Sequence, residues 1–159
     1  MKNCFYILLF AVLGFAACKK EKYVDYQALA LEQYGKDTVI INKFIADNNI
    51  PAKKDSTIDI YYQIIEPGTG DEVNWTANSL ITAKYDGRFL NGTSFDKSDS
   101  AIFELGRVIA GWQIGIPKIK KGGKIRLIIP SGFAYGDRGS GQIPPNSILD
   151  FDIELLDIK

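Results

Sequence analysis

Histidine occurs nowhere in this chain of 159 residues, and cysteine only twice. Without an imidazole there is no Ser–His–Asp or Cys–His nucleophile, no histidine metal site and no simple switch near neutral pH. Cys4 lies within an apolar leader, so a processed chain would keep Cys18 alone and could form no internal disulfide. Net charge is missing too: 19 basic and 19 acidic residues cancel, and no overall field draws the chain to nucleic acid. The local cluster Lys118, Lys120, Lys121, Lys124 and Arg126 beside a glycine turn reads as a solvated face; nucleic-acid binding would want a larger basic excess and exposed aromatics. An activity built from what remains must work by binding and distorting its substrate.

Long hydrophobic runs are also scarce. Residues 5–17 are almost wholly apolar, but a membrane-spanning helix needs about 20 residues. Lys2 ahead of this run and Ala16-Ala17-Cys18 at its end make it a secretory leader. The ending resembles a bacterial lipoprotein signal, in which the cysteine is lipidated and becomes the new N-terminus. The expectation is a signal peptide over 1–17, lipidation at Cys18, and a protein lipid-anchored in the cell envelope, at the outer membrane of a Gram-negative bacterium. Several acyl chains at about 0.8 kcal/mol per buried CH₂ would anchor it firmly. An ordinary cleaved leader with Cys18 incidental is the plainer alternative.

Residues 18–56 read as a tether followed by a helical segment. Lys19-Lys20-Glu21-Lys22 is the solvated start. The pattern predicts one helix over 23–34, ended by Gly35, and a second capped by Asp37. Val39, Ile40, Phe44 and Ile45 would share one side of the second helix, and Asn48-Asn49 before Pro51 would close it. Docking on its own domain and self-association both remain open for that face.

After a polar joint at 52–56 the period changes from helix to strand. Residues 57–65 are rich in β-branched residues and tyrosine and end at Pro67-Gly68-Thr69-Gly70. Residues 80–85 form a second run, and Asn91-Gly92 between Phe89-Leu90 and Phe95 signals a hairpin. A further strand is expected over Lys124–Ile129. At the C-terminus Leu149, Phe151, Ile153 and Leu155 alternate with Asp150, Asp152 and Glu154, predicting one buried and one wet face. Only 109–116 suits a helix, and Pro117 ends it. The fold class is α+β: a curved antiparallel sheet, a half-barrel, wrapped over one short helix and preceded by a helical N-terminal segment.

Over 60–158 the ordered pieces are Tyr85-Asp86-Gly87, Asn91-Gly92, Phe95-Asp96, Phe103-Glu104-Leu105, Val108-Ile109-Ala110-Gly111-Trp112, Ala134-Tyr135-Gly136, Ile143-Pro144-Pro145 and Phe151-Asp152-Ile153-Glu154-Leu155-Leu156. In this order they resemble the FKBP-type peptidyl-prolyl cis-trans isomerases, which places an FKBP-like domain at 57–159. The resemblance implies catalysis of rotation about X-Pro bonds in proline-containing unfolded or exported polypeptides, with no cofactor and no metal. Macrolide inhibitors are a further ligand class it implies. Trp112 would floor the proline pocket, with Tyr85, Phe95, Phe103, Val108, Ile143 and Phe151 as substrate-binding walls. The Ile109 N–H and the Tyr135 hydroxyl would donate to substrate carbonyls, and Asp96, bonded to Tyr85, would lie near the isomerising carbonyl.

Plainer readings stand beside these. Trp112 and Phe151 could be core aromatics, Asp96 a structural acceptor and Tyr135 a loop anchor. The chain also departs from the family. No arginine follows Phe95-Asp96 within 97–101, Ala101 stands where some members have an aromatic wall, and 137–142 is short and glycine-rich. Two rival functions follow: a non-catalytic proline-binding or chaperone module, and a lipid-anchored component of a surface complex.

Overall fold

The structure, a computed structural model, describes residues 24–70 and 74–159. The expected signal peptide, Cys18 and the charged start of the tether lie outside these residues.

The first described element is one helix, α1 (Tyr26–Asp47), where two were expected. Asp25 caps it, its carboxylate accepting the N–H groups of Gln27 and Ala28 at 3.0 Å each. Gly35 does not end it. A mid-helix glycine costs only about 1 kcal/mol, which the packing of the following turns overrides. Asp37 is no cap either: it sits in the helix interior and is buried. The buried side of the C-terminal half is carried by Ile41, with Phe44 and Ile45 partly buried, while Val39 and Ile40 face solvent. Asn48 terminates the helix as expected, its Nδ2 donating to the Phe44 carbonyl at 2.8 Å.

Six strands form one antiparallel sheet: β1 (Lys53–Lys54), β2 (Tyr61–Glu66), β3 (Leu80–Phe89), β4 (Ser94–Glu104), β5 (Lys124–Ile129) and β6 (Leu149–Ile158), in the order β1-β2-β5-β6-β3-β4. β1 falls inside the stretch read as a polar joint and pairs with β2, so the segment before residue 57 contributes to the sheet. The Asn91-Gly92 turn joins β3 to β4, closed by Phe89 N–H to the Thr93 carbonyl at 3.0 Å. The second helix is α2 (Ala110–Gly115), continued by a 3₁₀ turn, Ile116–Lys118, that contains Pro117.

The two faces of the sheet bury different things. On one, α2 lies against β5. Gly111 and Gly115 stand one turn apart on its underside, and a methyl group on either would come within 2.6 Å of Ile129 or 2.5 Å of Leu127. Only glycine allows this approach. The core here includes Ile60, Ile81, Leu105, Trp112, Ile116, Ile125, Leu127, Ile129, Phe151, Ile153 and Leu155. On the other face α1 covers a smaller cluster of Ile41, Ile50, Tyr61, Ile128 and Ile148.

That second face corrects one expectation. Asp150 is not wet; it is 3% exposed. Arg126 binds it through two bonds, Nε to Oδ1 at 2.9 Å and Nη2 to Oδ2 at 2.7 Å, and Arg88 approaches at 3.5 Å. Each cation of the basic cluster finds a partner as well: Lys118 with Asp55, Lys121 with Asp157, Lys124 with Glu66, Arg126 with Asp150, and Lys120 with the Gly70 carbonyl. Among the described residues no helix is long and apolar enough to cross a membrane.

Candidate active site

A hollow of about 210 Å³ opens beside α2, lined by Tyr85, Phe95, Asp96, Phe103, Arg107, Val108, Ile109, Trp112, Tyr135 and Phe151. These side chains converge from several pieces of the fold. Tyr85 comes from β3, Phe95, Asp96 and Phe103 from β4, and Phe151 from β6. Strand alternation sends Phe151, Ile153 and Leu155 to the α2 face together. Gly87 makes room, because a Cβ there would come within 2.6 Å of the Phe151 ring and 2.8 Å of the Phe95 ring.

Trp112 is the centre of the hollow. Its ring meets Tyr85 at 5.2 Å, Phe103 at 5.5 Å and Phe151 at 5.3 Å, all within ten degrees of perpendicular (interplanar angles 82°, 82° and 83°). Edge-to-face pairs of this kind contribute about 0.5–1.5 kcal/mol each beyond area burial, so the indole is gripped from several sides. Phe95 stands perpendicular to Phe151 in turn, at 5.6 Å and 88°. The indole N–H is buried and finds no oxygen or nitrogen acceptor among the described residues. Apart from that N–H, the floor is built of ring faces and edges.

The polar groups sit at the edge. The Tyr85 hydroxyl donates to Asp96 Oδ2 at 2.7 Å, the pair expected for these two residues. Burial, and next this bond to a carboxylate, push the Tyr85 phenol up to about 12. Tyr135 is 39% exposed, and burial followed by the negative charge of Asp96 raises its phenol as well. Both hydroxyls hold their protons at neutral pH and can donate.

Ile109 occupies the N-cap of α2 in an extended conformation, φ −57° and ψ 149°. Its carbonyl accepts the N–H groups of Trp112 and Gln113 at 2.9 and 3.2 Å, while its own N–H donates to no described residue. Gln113 steadies the same loop, its Nε2 donating to the Val108 carbonyl at 2.8 Å. The loop thus presents a fixed, unused donor beside the indole. Two orientation-fixing donors and one carboxylate around an apolar floor can bind and turn a small apolar group, but offer no nucleophile. Among the described residues no group of three His, Cys, Asp or Glu side chains is placed to hold a metal ion.

Of the residues predicted for the site, all but Ile143 and Cys18 line the hollow. Ile143 is buried in the core cluster around Trp112 and does not reach the lining. It is drawn in by a tight turn, with the Ser140 N–H bonded to its carbonyl at 2.9 Å and its N–H to the Ser140 carbonyl at 2.8 Å. Two further residues, one at the rim and one behind it, had little or no signal in the sequence. Arg107 joins the rim from the turn before Val108 and pairs with Glu104 at 2.9 Å, so it does not replace the arginine missing beside Asp96. Gln142, from the glycine-rich stretch, donates through Nε2 to the Phe95 carbonyl and ties that loop to β4. Adjacency to the Val108 motif was the one available hint for Arg107; Gln142 had none.

Comparison with known proteins adds to this geometry. The family model described as FKBP-type peptidyl-prolyl cis-trans isomerase matches residues 72–156, more than half of the chain. The chain is 50% identical over 104 residues to the FKBP-type peptidyl-prolyl cis-trans isomerase FkpA of Buchnera aphidicola subsp. Schizaphis graminum, covering 63% of this chain and 41% of that protein. It is 46% identical over 102 residues to FK506-binding protein 1 of Saccharomyces cerevisiae, covering 60% of this chain and 89% of that one. The crystal structure of FkpA from Escherichia coli superposes with a TM-score of 0.69 at 38% identity, over 84% of this chain and 62% of that one. The chain spans about two fifths of the length of the FkpA proteins it matches.

Proposed function

The chain belongs to the FKBP-type peptidyl-prolyl cis-trans isomerase family, and we propose that it accelerates rotation about X-Pro bonds in proline-containing polypeptides of the cell envelope. The observation that carries this reading is the apolar floor at Trp112 with its donors confined to the edge. An X-Pro amide rotates over a barrier of about 18–20 kcal/mol because resonance must be broken. The planar amide has the larger dipole and loses more on leaving water than the twisted one does. A dry aromatic hollow therefore disfavours the ground state more than the transition state, and about 5.5 kcal/mol of such difference is four powers of ten in rate.

In this reading the proline ring lies on Trp112 between Tyr85, Phe95, Phe103, Val108 and Phe151. The Ile109 N–H and the Tyr135 hydroxyl hold flanking carbonyls, and Asp96, steadied by Tyr85, sits beside the turning carbonyl. Anchored substrate ends let the central bond rotate without dissociation. Macrolide inhibitors would compete for the same floor. Attachment to the envelope membrane through lipidated Cys18 belongs to the same proposal, since Ala16-Ala17-Cys18 is the sequence that supports it.

A protease-coupled or NMR-exchange measurement of cis-trans rates in a proline peptide tests the catalytic reading. Acceleration is expected from the parent protein, with a large loss in Trp112→Ala and a smaller one in Asp96→Ala. Unchanged rates in both variants would sink the site assignment, and tight peptide binding without acceleration would favour the binding-module function. Fatty-acid labelling tests the anchor: label is expected on the parent and absent from Cys18→Ala, and label surviving that substitution overturns it.

A further inference from the structure

Asp37 is a carboxylate 1% exposed in the middle of α1, and among the described residues no lysine or arginine pairs with it. A buried carboxylate without a cation is an expensive way to dock a helix; an apolar side chain of similar size would do so at less cost. What the carboxylate does supply is three directed bonds. Gln33 Nε2 donates to Oδ1 at 2.8 Å, and Ser131 donates to Oδ2 twice, from its backbone N–H at 2.8 Å and its hydroxyl at 2.6 Å.

Ser131 opens the loop that carries Tyr135, and its carbonyl is the hub of that loop. It accepts the Ala134 N–H at 3.0 Å and the Gly136 N–H at 2.9 Å, the residues on either side of Tyr135. The Gly136 carbonyl in turn accepts the Asn146 N–H at 2.8 Å, joining the loop to the segment after Pro144-Pro145. The Tyr135 hydroxyl has no partner of its own among the described residues, so the backbone around it decides where it points. A continuous path of hydrogen bonds thus runs from α1, through Asp37 and Ser131, to the backbone that aims Tyr135 into the hollow.

From this we infer that Asp37 is a positioning residue of the isomerase site, acting through Ser131 on Tyr135, and that α1 is a working part of the site as well as a helix packed behind it. The inference rests on the isomerase reading for its catalytic consequence, but the link itself can be read without any activity. Its signature is coupling between residues whose side chains do not touch.

The experiment is a double-mutant cycle in the full chain with Asp37→Ala and Tyr135→Phe, read as kcat/KM on a proline peptide. Tyr135→Phe alone is expected to lower kcat/KM about tenfold, the loss of one well-placed hydrogen bond. In the Asp37→Ala background the same change should cost less than about twofold, because the hydroxyl is already misplaced. Asp37→Asn should recover most of the activity, since its amide oxygen can face Ser131 while Gln33 turns its own amide over.

Hydrogen exchange supplies the second readout. The Ala134 and Gly136 amides should exchange about tenfold faster in Asp37→Ala, while those of β6 keep their rates. An equal Tyr135→Phe factor in both backgrounds, or unchanged protection at Ala134 and Gly136, overturns the inference. If Asp37→Ala does not fold, Ser131→Ala removes the hydroxyl bond alone and takes its place in the same cycle. Faster exchange in Asp37→Ala, with no isomerase activity in the parent protein, would count against the isomerase reading and leave the link standing.

Discussion

The two faces of the sheet are built on opposite principles. The face toward α2 collects rings: Trp112 is held by Tyr85, Phe103 and Phe151 at 5.2 to 5.5 Å, and the charged residues of the hollow, Asp96 and Arg107, stay at the rim. The face toward α1 sets ions beside the apolar cluster of Ile41, Ile50, Tyr61, Ile128 and Ile148. Arg88 opposes Asp150 across β3 and β6, Arg126 opposes Asp152 across β5 and β6, and a carboxylate fastens the helix itself. Rings in perpendicular contact form rigid walls that can leave a hollow between them open and dry. Charges in contact do the reverse, since any space left beside them would admit water. One face carries a hollow lined by rings, and the other a wider hollow lined by charged side chains, among them Lys84, Asp86, Lys124, Asp152 and Glu154.

The comparison breaks most readily on the ionic side. Arg126→Ala should cost about 3–5 kcal/mol in urea unfolding, because Asp150 is buried and would keep only the 3.5 Å approach of Arg88. Isomerase activity per folded molecule should hardly change, since this ion pair is not on the path from Asp37 to Tyr135; an equal fall in activity would show that it too reaches the pocket. Ile41→Ala, which empties the fully buried side chain of the α1 cluster, should cost about 3 kcal/mol by the same measurement.

On the aromatic side the expected effect moves from stability to rate. Trp112→Leu keeps the site apolar but removes the flat floor, and kcat/KM should drop about a hundredfold, equivalent to about 2.7 kcal/mol of transition-state stabilisation. Retention of full activity would mean that the indole is core and not floor. Gly35→Ala should act on neither face. With open space around it in mid-helix, it should stabilise the protein by about 0.5–1 kcal/mol in thermal unfolding.

The slightest effect is a pH dependence confined to the pocket. The folded protein favours the protonated Tyr85 phenol, with its value pushed up to about 12 from an ordinary 10.0. Its contribution to stability is therefore complete below pH 10 and is lost as the pH climbs through about 12. The difference in stability between the parent and Tyr85→Phe should shrink over that window. A constant difference would show that neither burial nor the bond to Asp96 raises the phenol in the folded protein.

Legibility in the sequence followed the range of the interactions. Strand β5 lies at the residues its pattern predicts, the Asn91-Gly92 turn appears, and α2 gives way to a 3₁₀ turn just before Pro117, because each depends on near neighbours. The pocket residues were readable through their ordered motifs, which stand in for contacts that no local pattern shows. Gly35 misled because its propensity penalty is small beside the packing of one continuous helix. Ile143 was expected at the wall and packs into the core, since the short turn with Ser140 folds it inward. Asp37 was expected as a helix cap and Asp150 on a wet face; both are buried, because a sequence does not show the distant partner that holds a carboxylate inside.

What the sequence by itself determined is the chemistry left available and the sidedness of the strands. A chain without histidine, with aromatics and glycines in a set order, leaves binding and distortion as the route to catalysis, and the alternation in β6 already points Phe151 and Ile153 to one face. The tertiary structure alone decided which polar groups are buried and what they hold. Ser131 lies 94 residues from Asp37, and Arg126 lies 24 from Asp150. Burial of a charge is a property of the pair and its surroundings, and only the folded chain brings the pair together.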